Sequence, residues 1–279
     1  MTSFKQILAI GFTTFASIFN YAQEFNPKYT ESNKGKFYVY WGGNRGYYSN
    51  SDIHFYGPNY DFTVENATAH DKPVGLHIDY INPVNMTIPQ TNFRLGYYFT
   101  DKYNISIGVD HMKYVMTQNQ EATVNGYYPE QGSYNELMPN GKTKLTEEFL
   151  MFEHTDGLNY VNVELGRTDD FSKLLGIYDT DKVQFNFISG VGAGALVPKT
   201  NATVFGQNRF DDFRLAGYGL SAKAGLNLTF FKHFFINYEV KFGYIDIVKT
   251  PVSSNPGQFA EHDFTFFQRV IALGGIFRL

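Results

Sequence analysis

Eight stretches of this 279-residue chain alternate apolar and polar side chains with a period of two, and the last, Phe264 to Leu279 (FTFFQRVIALGGIFRL), runs to the final residue. Period two is the signature of a strand with two different faces. A strand at the end of a chain has no later neighbour to pair with. Its backbone groups are satisfied on both sides only if the sheet curls until the last strand meets the first. The pattern therefore predicts an all-β, closed antiparallel up-and-down sheet of about eight strands over residues 36–279.

The alternation is explicit in the residues. Phe37, Val39 and Trp41 alternate with Tyr38, Tyr40 and Gly42. In 91–100, Phe93, Leu95, Tyr97 and Phe99 oppose Asn92, Arg94, Gly96 and Tyr98. In 103–116, Ile105, Ile107 and Val109 oppose Asn104, Ser106, Gly108 and Asp110. Strands 147–167, 182–198, 213–230, 233–247 and 263–279 repeat the scheme, with Val161, Val163, Phe185, Phe187, Leu220, Leu226, Phe234, Ile236, Ile271 and Leu273 on the apolar side. Asp101–Tyr103 and Phe230–Lys232 are tight turns, and 168–181 is a longer connection. Long loops fall at about 48–90, 117–146, 199–212 and 250–262. Loop 48–90 holds hairpin-like pieces, Asp52–Tyr56 and Tyr60–Val64, around Gly57-Pro58-Asn59. Val74–Ile81 also alternates, so ten strands is the alternative count.

The start of the chain is an export signal. Lys5 precedes the short apolar run Ile7–Phe19, and cleavage is expected after Ala22. The run is shorter than the ~20 residues a spanning helix needs. Residues 1–22 carry one Lys and no Asp or Glu, so their loss takes the formal charge from −4 to −5. Residues 23–35 are polar and are expected to form a short periplasmic lead. Cysteine is absent, which excludes disulfides, thiolate metal sites and a lipidated N-terminal Cys. The mean hydropathy is −0.29 although aromatics make up 18% of the chain. An exported two-faced wall, apolar toward lipid and polar toward its interior, gives that combination. Short turns alternating with long loops fit an outer-membrane β-barrel, transmembrane through its strands, with long extracellular loops. Tyr103, Phe230, Phe234 and Tyr244 fit its aromatic girdles. No basic domain is present, so nucleic acid is not an expected partner.

The tail Gly274-Gly275-Ile276-Phe277-Arg278-Leu279 resembles the terminal strand of small Gram-negative outer-membrane barrels, and the tight-turn hairpins are similar too. The signal ending Tyr21-Ala22-Gln23 is similar to export signals of the Bacteroidetes type. Such tails often finish in Phe, whereas here Phe277 sits two residues inside. The resemblance covers most of residues 36–279. It implies insertion by the outer-membrane assembly machinery, and it implies no single activity, because small barrels include adhesins, structural barrels, narrow channels and lipid-modifying enzymes.

Three constellations could carry chemistry. By parity, Arg94, Lys223 and Lys241 face inward with Asp110, Glu164 and Glu239. Three-residue turns would set Arg94 opposite Asp110 and Lys223 opposite Glu239. This is either a selective lumen or a static plug of ion pairs in an interior just wide enough for side chains. His154 and Asp156 stand two apart and would share a face on a regular strand, where a carboxylate can orient an imidazole base. No Ser stands near them in sequence, and no two-His metal spacing such as HExxH occurs, so no cofactor or metal is expected. Arg45, Lys113, Lys199 and Arg269 have lipid-side parity near the outer strand ends. They could meet phosphates of an anionic outer-leaflet glycolipid or simply snorkel.

The functional expectation is an integral, monomeric outer-membrane barrel with a filled polar lumen and a structural or surface-interaction role. A narrow channel or small-solute transporter is the alternative. A lipid-directed hydrolase built on His154 and Asp156 and a soluble ligand-binding barrel are further readings. The last needs an apolar interior, the reverse of the parity above.

Overall fold

The computed structural model describes residues 28–73, 90–130, 132–207 and 210–279. The signal sequence, the start of the polar lead and Val74–Ile81 lie outside them. The strands are β1 (Lys36–Tyr48), β2 (Ser51–Gly57), β3 (Tyr60–Ala67), β4 (Ala69–His70), β5 (Thr91–Tyr98), β6 (Tyr103–Met116), β7 (Glu121–Tyr127), β8 (Glu136–Leu137), β9 (Thr143–Lys144), β10 (Leu150–Asp170), β11 (Val183–Val204), β12 (Phe210–Phe213), β13 (Gly217–Phe230), β14 (Phe234–Pro251) and β15 (Phe259–Arg278).

Eight of these form a ring in the order β1-β5-β6-β10-β11-β13-β14-β15, every pair antiparallel. The last strand meets the first from Lys36↔Arg278 to Tyr48↔Phe266. Along the lower parts of the strands the buried residue is the polar one. Asn104, Ser106 and Asp110 are buried on β6, while Ile105 and Ile107 are exposed. Leu95, Val163, Leu165, Phe187, Val191, Leu220, Leu226, Ile236, Phe242, Ile271 and Leu273 add to this exposed apolar band. Bulky rings lie across interior glycines, Tyr38 over Gly96 and Phe235 over Gly274, where a Cβ would collide with the ring.

The two ends of the ring differ. At one, the strands join through two short turns and the longer connection between β10 and β11, which holds a 3-10 turn at Ser172–Leu175. At the other, β15 leaves β1 and pairs instead with β2 from Phe259↔Tyr56 to His262↔Ile53. From there the sheet continues β2-β3-β7-β9-β8. The hairpin-like pieces around Gly57-Pro58-Asn59 are β2 and β3. This extension forms a cap over the loop end, and Ile53, Phe55, Phe62 and Val64 pack inward against Phe149, Phe152, Val204 and Phe205. The upper halves of β6 and β10 are accordingly buried on both faces. A smaller cluster of Tyr38, Tyr40, Tyr98, Phe235, Val270 and Ala272 lies toward the turn end.

Both tight turns depart from the expected register by two residues. Arg94 pairs with Gly108 and Asn92 with Asp110, while Tyr98↔Asn104 ends the ladder. The Thr100 hydroxyl accepts the Tyr103 amide at 2.8 Å, which takes Thr100 out of the ladder and makes a longer turn. The second turn keeps its three residues but sits one position later: Phe230 pairs with Phe234, and Lys223 with Lys241. Phe231 (φ 50°) and Lys232 (φ 73°) both adopt the left-handed conformation that closes it.

Candidate functional site

The inward-facing charges meet in one network in the interior of the ring, fed from five strands: Arg94 on β5, Asp110 on β6, Glu164 on β10, Lys223 on β13, and Glu239 and Lys241 on β14. Glu164 is its centre. Its carboxylate lies 3.0 Å from Arg94 Nη2, 2.7 Å from Lys241 Nζ and 2.8 Å from Lys223 Nζ. Lys223 also lies 3.1 Å from Glu239, and Arg94 lies 3.5 Å from Asp110. Lys241 closes the circuit on Asp110. Three cations face three anions, all with buried side chains.

The direction of these contacts matters. β14 and β6 stand four places apart in the ring, on opposite walls, so the Lys241–Asp110 pair spans the interior. Neutral groups complete the shell. Arg94 donates to Asn162 Oδ1 at 2.9 Å and to the Tyr40 hydroxyl at 3.1 Å. Asn92 donates to Asp110 at 2.6 Å, and Asn237 to Glu239 at 2.9 Å. Tyr40 was not among the sequence candidates, although it shares the polar face of β1. The expected contacts thus form without the expected register, because long side chains reach diagonal and opposite strands.

Below the network, residues 28–35 fold across the turn end. The Thr30 amide and hydroxyl donate to Asp181 at 3.1 and 2.9 Å, and Gln184 donates to the Thr30 carbonyl at 3.2 Å. Lys36 donates to the Tyr29 carbonyl at 2.8 Å, and the Tyr29 ring packs 4.9 Å from His233. Behind this strap lies a cavity of about 50 Å³ edged by Thr30, Lys36, Tyr38, Tyr98, Lys223 and Glu239. It has room for no more than a few waters.

His154 and Asp156 do not share a face. The ladder of β10 shifts register between residues 153 and 158, where Gly157 has a φ of +146°. His154 points into the cap and is fully buried, while Asp156 points out and pairs with Lys199 at 3.4 Å. The partner of His154 is a residue the sequence reading passed over. His154 Nε2 lies 3.4 Å from His262 Nε2. Thr200 holds His154 Nδ1 at 3.1 Å, and Ser51 holds His262 Nδ1 at 3.4 Å. The chain of hydroxyls continues to Thr250 and to Tyr114. Burial lowers the His154 pKa to about 3. The His262 pKa is lowered well below its ordinary value by burial and then by His154. Both are neutral at pH 7; among the described residues their recorded partners are each other and the buried hydroxyls of Thr200 and Ser51, with no carboxylate on either ring. The one available signal for His262 was its parity with Ala260, Phe264 and Phe266.

The four outward bases separate into two pairs. Lys113 is buried, with Asp71, Lys72, Glu153 and Asp156 nearby, which corrects its expected place on the lipid face: both faces of β6 are covered at that height. Lys199 lies on Asp156 and near the Phe213 ring. Arg45 and Arg269 are brought directly opposite each other across β1 and β15.

No family model matches the sequence, and no curated protein matches it. Among solved structures, the chain is similar to the outer membrane protein OprG from Pseudomonas aeruginosa, at 12% identity and a TM-score of 0.40, over 90% of this chain and 99% of that one. It is similar to Ail, the attachment invasion locus protein of Yersinia pestis, at 13% identity and a TM-score of 0.33, over 88% and 99%. It is also similar to Neisserial surface protein A, at 10% identity and a TM-score of 0.28, over 84% and 98%. These neighbours are Gram-negative outer-membrane β-barrel proteins, and they give no support to a Bacteroidetes-type origin.

Proposed function

We propose that the chain is an integral outer-membrane protein whose eight ring strands cross the membrane as a closed barrel. Its role is structural or surface-interacting: a rigid, non-conducting stem that holds the β2–β3–β7 cap outside the cell. The spanning segments are those carrying the exposed apolar band, and the cap with His154 and His262 stands beyond them. A soluble protein exposing that band would associate through it.

The observation that carries the reading is the filled interior. The Glu164 network joins opposite walls, an aromatic cluster lies toward each end, and the 28–35 strap closes the turn end. An eight-stranded barrel has little more room than its own side chains need. That arrangement favours neither a selective pore nor a solute path, and the hydroxyls on His154 and His262 are buried, with no recorded carboxylate to orient either ring as a base.

Planar-bilayer recording of the purified chain should show no stable open level. The unheated protein should migrate differently from the heated one on gels, as closed barrels do. A reproducible steady conductance would overturn the plug and establish the channel alternative.

A further inference from the structure

His154 and His262 meet head-on inside the cap. Their Nε2 atoms are 3.4 Å apart, their ring centroids are 5.6 Å apart, and their planes differ by 23°. The centroid separation exceeds the nitrogen separation by the depth of the two half-rings, so both Nε2 atoms lie close to the line joining the rings. In-plane lone pairs on those atoms point at one another. On the far side of each ring, Nδ1 is set against a hydroxyl, Thr200 Oγ1 at 3.1 Å and Ser51 Oγ at 3.4 Å. Each hydroxyl has a further hydroxyl partner, Thr250 at 2.6 Å for Thr200 and Tyr114 at 3.2 Å for Ser51. Each can therefore accept from Nδ1–H while donating onward. Both rings can hold their proton on Nδ1 and present Nε2 as a ligand. Metal-ligating histidines are oriented in this way, through the other ring nitrogen.

The surroundings select the ion. The Phe152 ring lies 4.9 Å from His154 and 5.4 Å from His262, and the Tyr114 ring lies 5.7 and 5.2 Å from them. Phe264 lies 5.1 Å from His262. All five side chains are buried, so aromatic carbon flanks the gap between the nitrogens. Among the described residues, no third His, Cys, Asp or Glu completes a three-ligand group. Zinc takes four ligands in a tetrahedron, and calcium and magnesium take oxygen ligands in larger number. Two collinear nitrogens serve none of these. They serve a closed-shell monovalent ion that accepts two ligands in a line. Imidazole suits copper, and a buried site with no carboxylate favours the lower charge. At a metal–imidazole distance of about 2.0 Å, as for zinc, the rings need to part by roughly 0.6 Å from their present contact.

We propose that His154 and His262 form a linear, two-coordinate site for copper(I). In the metal-free cap one ring donates its Nε2 proton to the other. As the ion enters, that proton passes to Nδ1 of the same ring, where the Thr200 or Ser51 hydroxyl accepts the new hydrogen bond. The ion takes its place between the nitrogens. No proton is lost and no electron moves. Entry requires the cap to open, because both rings are buried. Once bound, the ion ties β10 to β15 within the closed cap. The site does not depend on the ring strands crossing a membrane.

The test uses the full folded chain, stripped of metal, with silver(I) as a redox-inert probe and copper(I) kept reduced by ascorbate. Native mass spectrometry counts the ions, and X-ray absorption at the copper edge reads the coordination number. One ion per chain is expected, with the spectrum of two-coordinate copper(I) held by nitrogen alone. H154Q and H262Q should each lose the ion, whereas H54Q, at the partly exposed face of the cap, should keep it. T200V, which removes the acceptor at Nδ1, should bind roughly 10–100-fold more weakly. Excess zinc(II) should not displace the copper. Should H154Q and H262Q lose the β-sheet circular dichroism of the parent, the spectrum of the unsubstituted chain and the zinc competition decide. No bound ion, three- or four-coordinate copper, unchanged retention in the folded variants, or displacement by zinc would each overturn the site.

Discussion

E164Q is expected to weaken the folded chain by about 3–5 kcal/mol, the usual cost of removing one partner from a buried charge network. Glu164 touches Arg94, Lys223 and Lys241. Without its charge, three buried cations share Asp110 and Glu239. The same change at exposed Glu136, which pairs with Lys144 at the cap edge, should cost no more than about 1 kcal/mol. Urea titration of the detergent-folded protein, followed by Trp41 fluorescence and by unheated gel mobility, gives both midpoints. Adding K223Q to E164Q restores two cations against two anions and should recover part of the loss. The coupling from that double-mutant cycle measures the network directly. A midpoint for E164Q no lower than that of E136Q would mean that lumen water screens the charges and that the network does not hold the walls together.

The sequence made the wall legible and left the interior partly hidden, for reasons visible in single residues. Ile105, Ile107, Val163 and Leu165 announce a face because every second position must be apolar where the outer environment is uniform. The same rule placed all six network charges inside. It could not place them against one another. Thr100 leaves the ladder because its hydroxyl caps the Tyr103 amide, and Phe231 and Lys232 take a conformation that neither residue type advertises. Contacts such as Lys241 with Asp110 depend on curvature, which no strand encodes alone. The cap was hardest to read. The strands run past their expected ends, and outward parity there no longer means an open face: Lys113 is buried near Asp71, Lys72, Glu153 and Asp156. Gly157 then turns His154 away from Asp156 and toward His262, 108 positions away.

That buried imidazole pair leads to the second large effect: the cap should be acid-labile. One ring donates from Nε2 and the other accepts, so the contact at 3.4 Å requires a neutral acceptor and is lost when both rings are protonated. His154 binds its proton in the folded cap only at about pH 3, against 6.5 for an ordinary imidazole, because burial disfavours the cation. The opened cap therefore takes up the proton first. Stability is full above pH 6.5 and falls as the pH drops from there toward 3, by on the order of 4–5 kcal/mol for His154 alone. His262 acts in the same direction. His54 opposes them. Desolvation lowers its pKa, but hydrogen bonds to Glu261 and Asp61, at 3.0 and 2.9 Å, outweigh that and raise it. Its contribution is present below pH 6.5 and lost as the pH rises through the raised value. Its side chain is one-third exposed, so its share is small. Hydrogen–deuterium exchange of the peptide spanning residues 51–67 should accelerate steeply between pH 7 and pH 4, after correction for intrinsic rates, while peptides from the ring strands stay protected. H154Q/H262Q, which keeps donors and acceptors but cannot titrate, should flatten that acid limb even though the cap is somewhat weaker at pH 7. An equally steep limb in the double variant would assign the acid response to the carboxylates of the cap instead of the histidine pair.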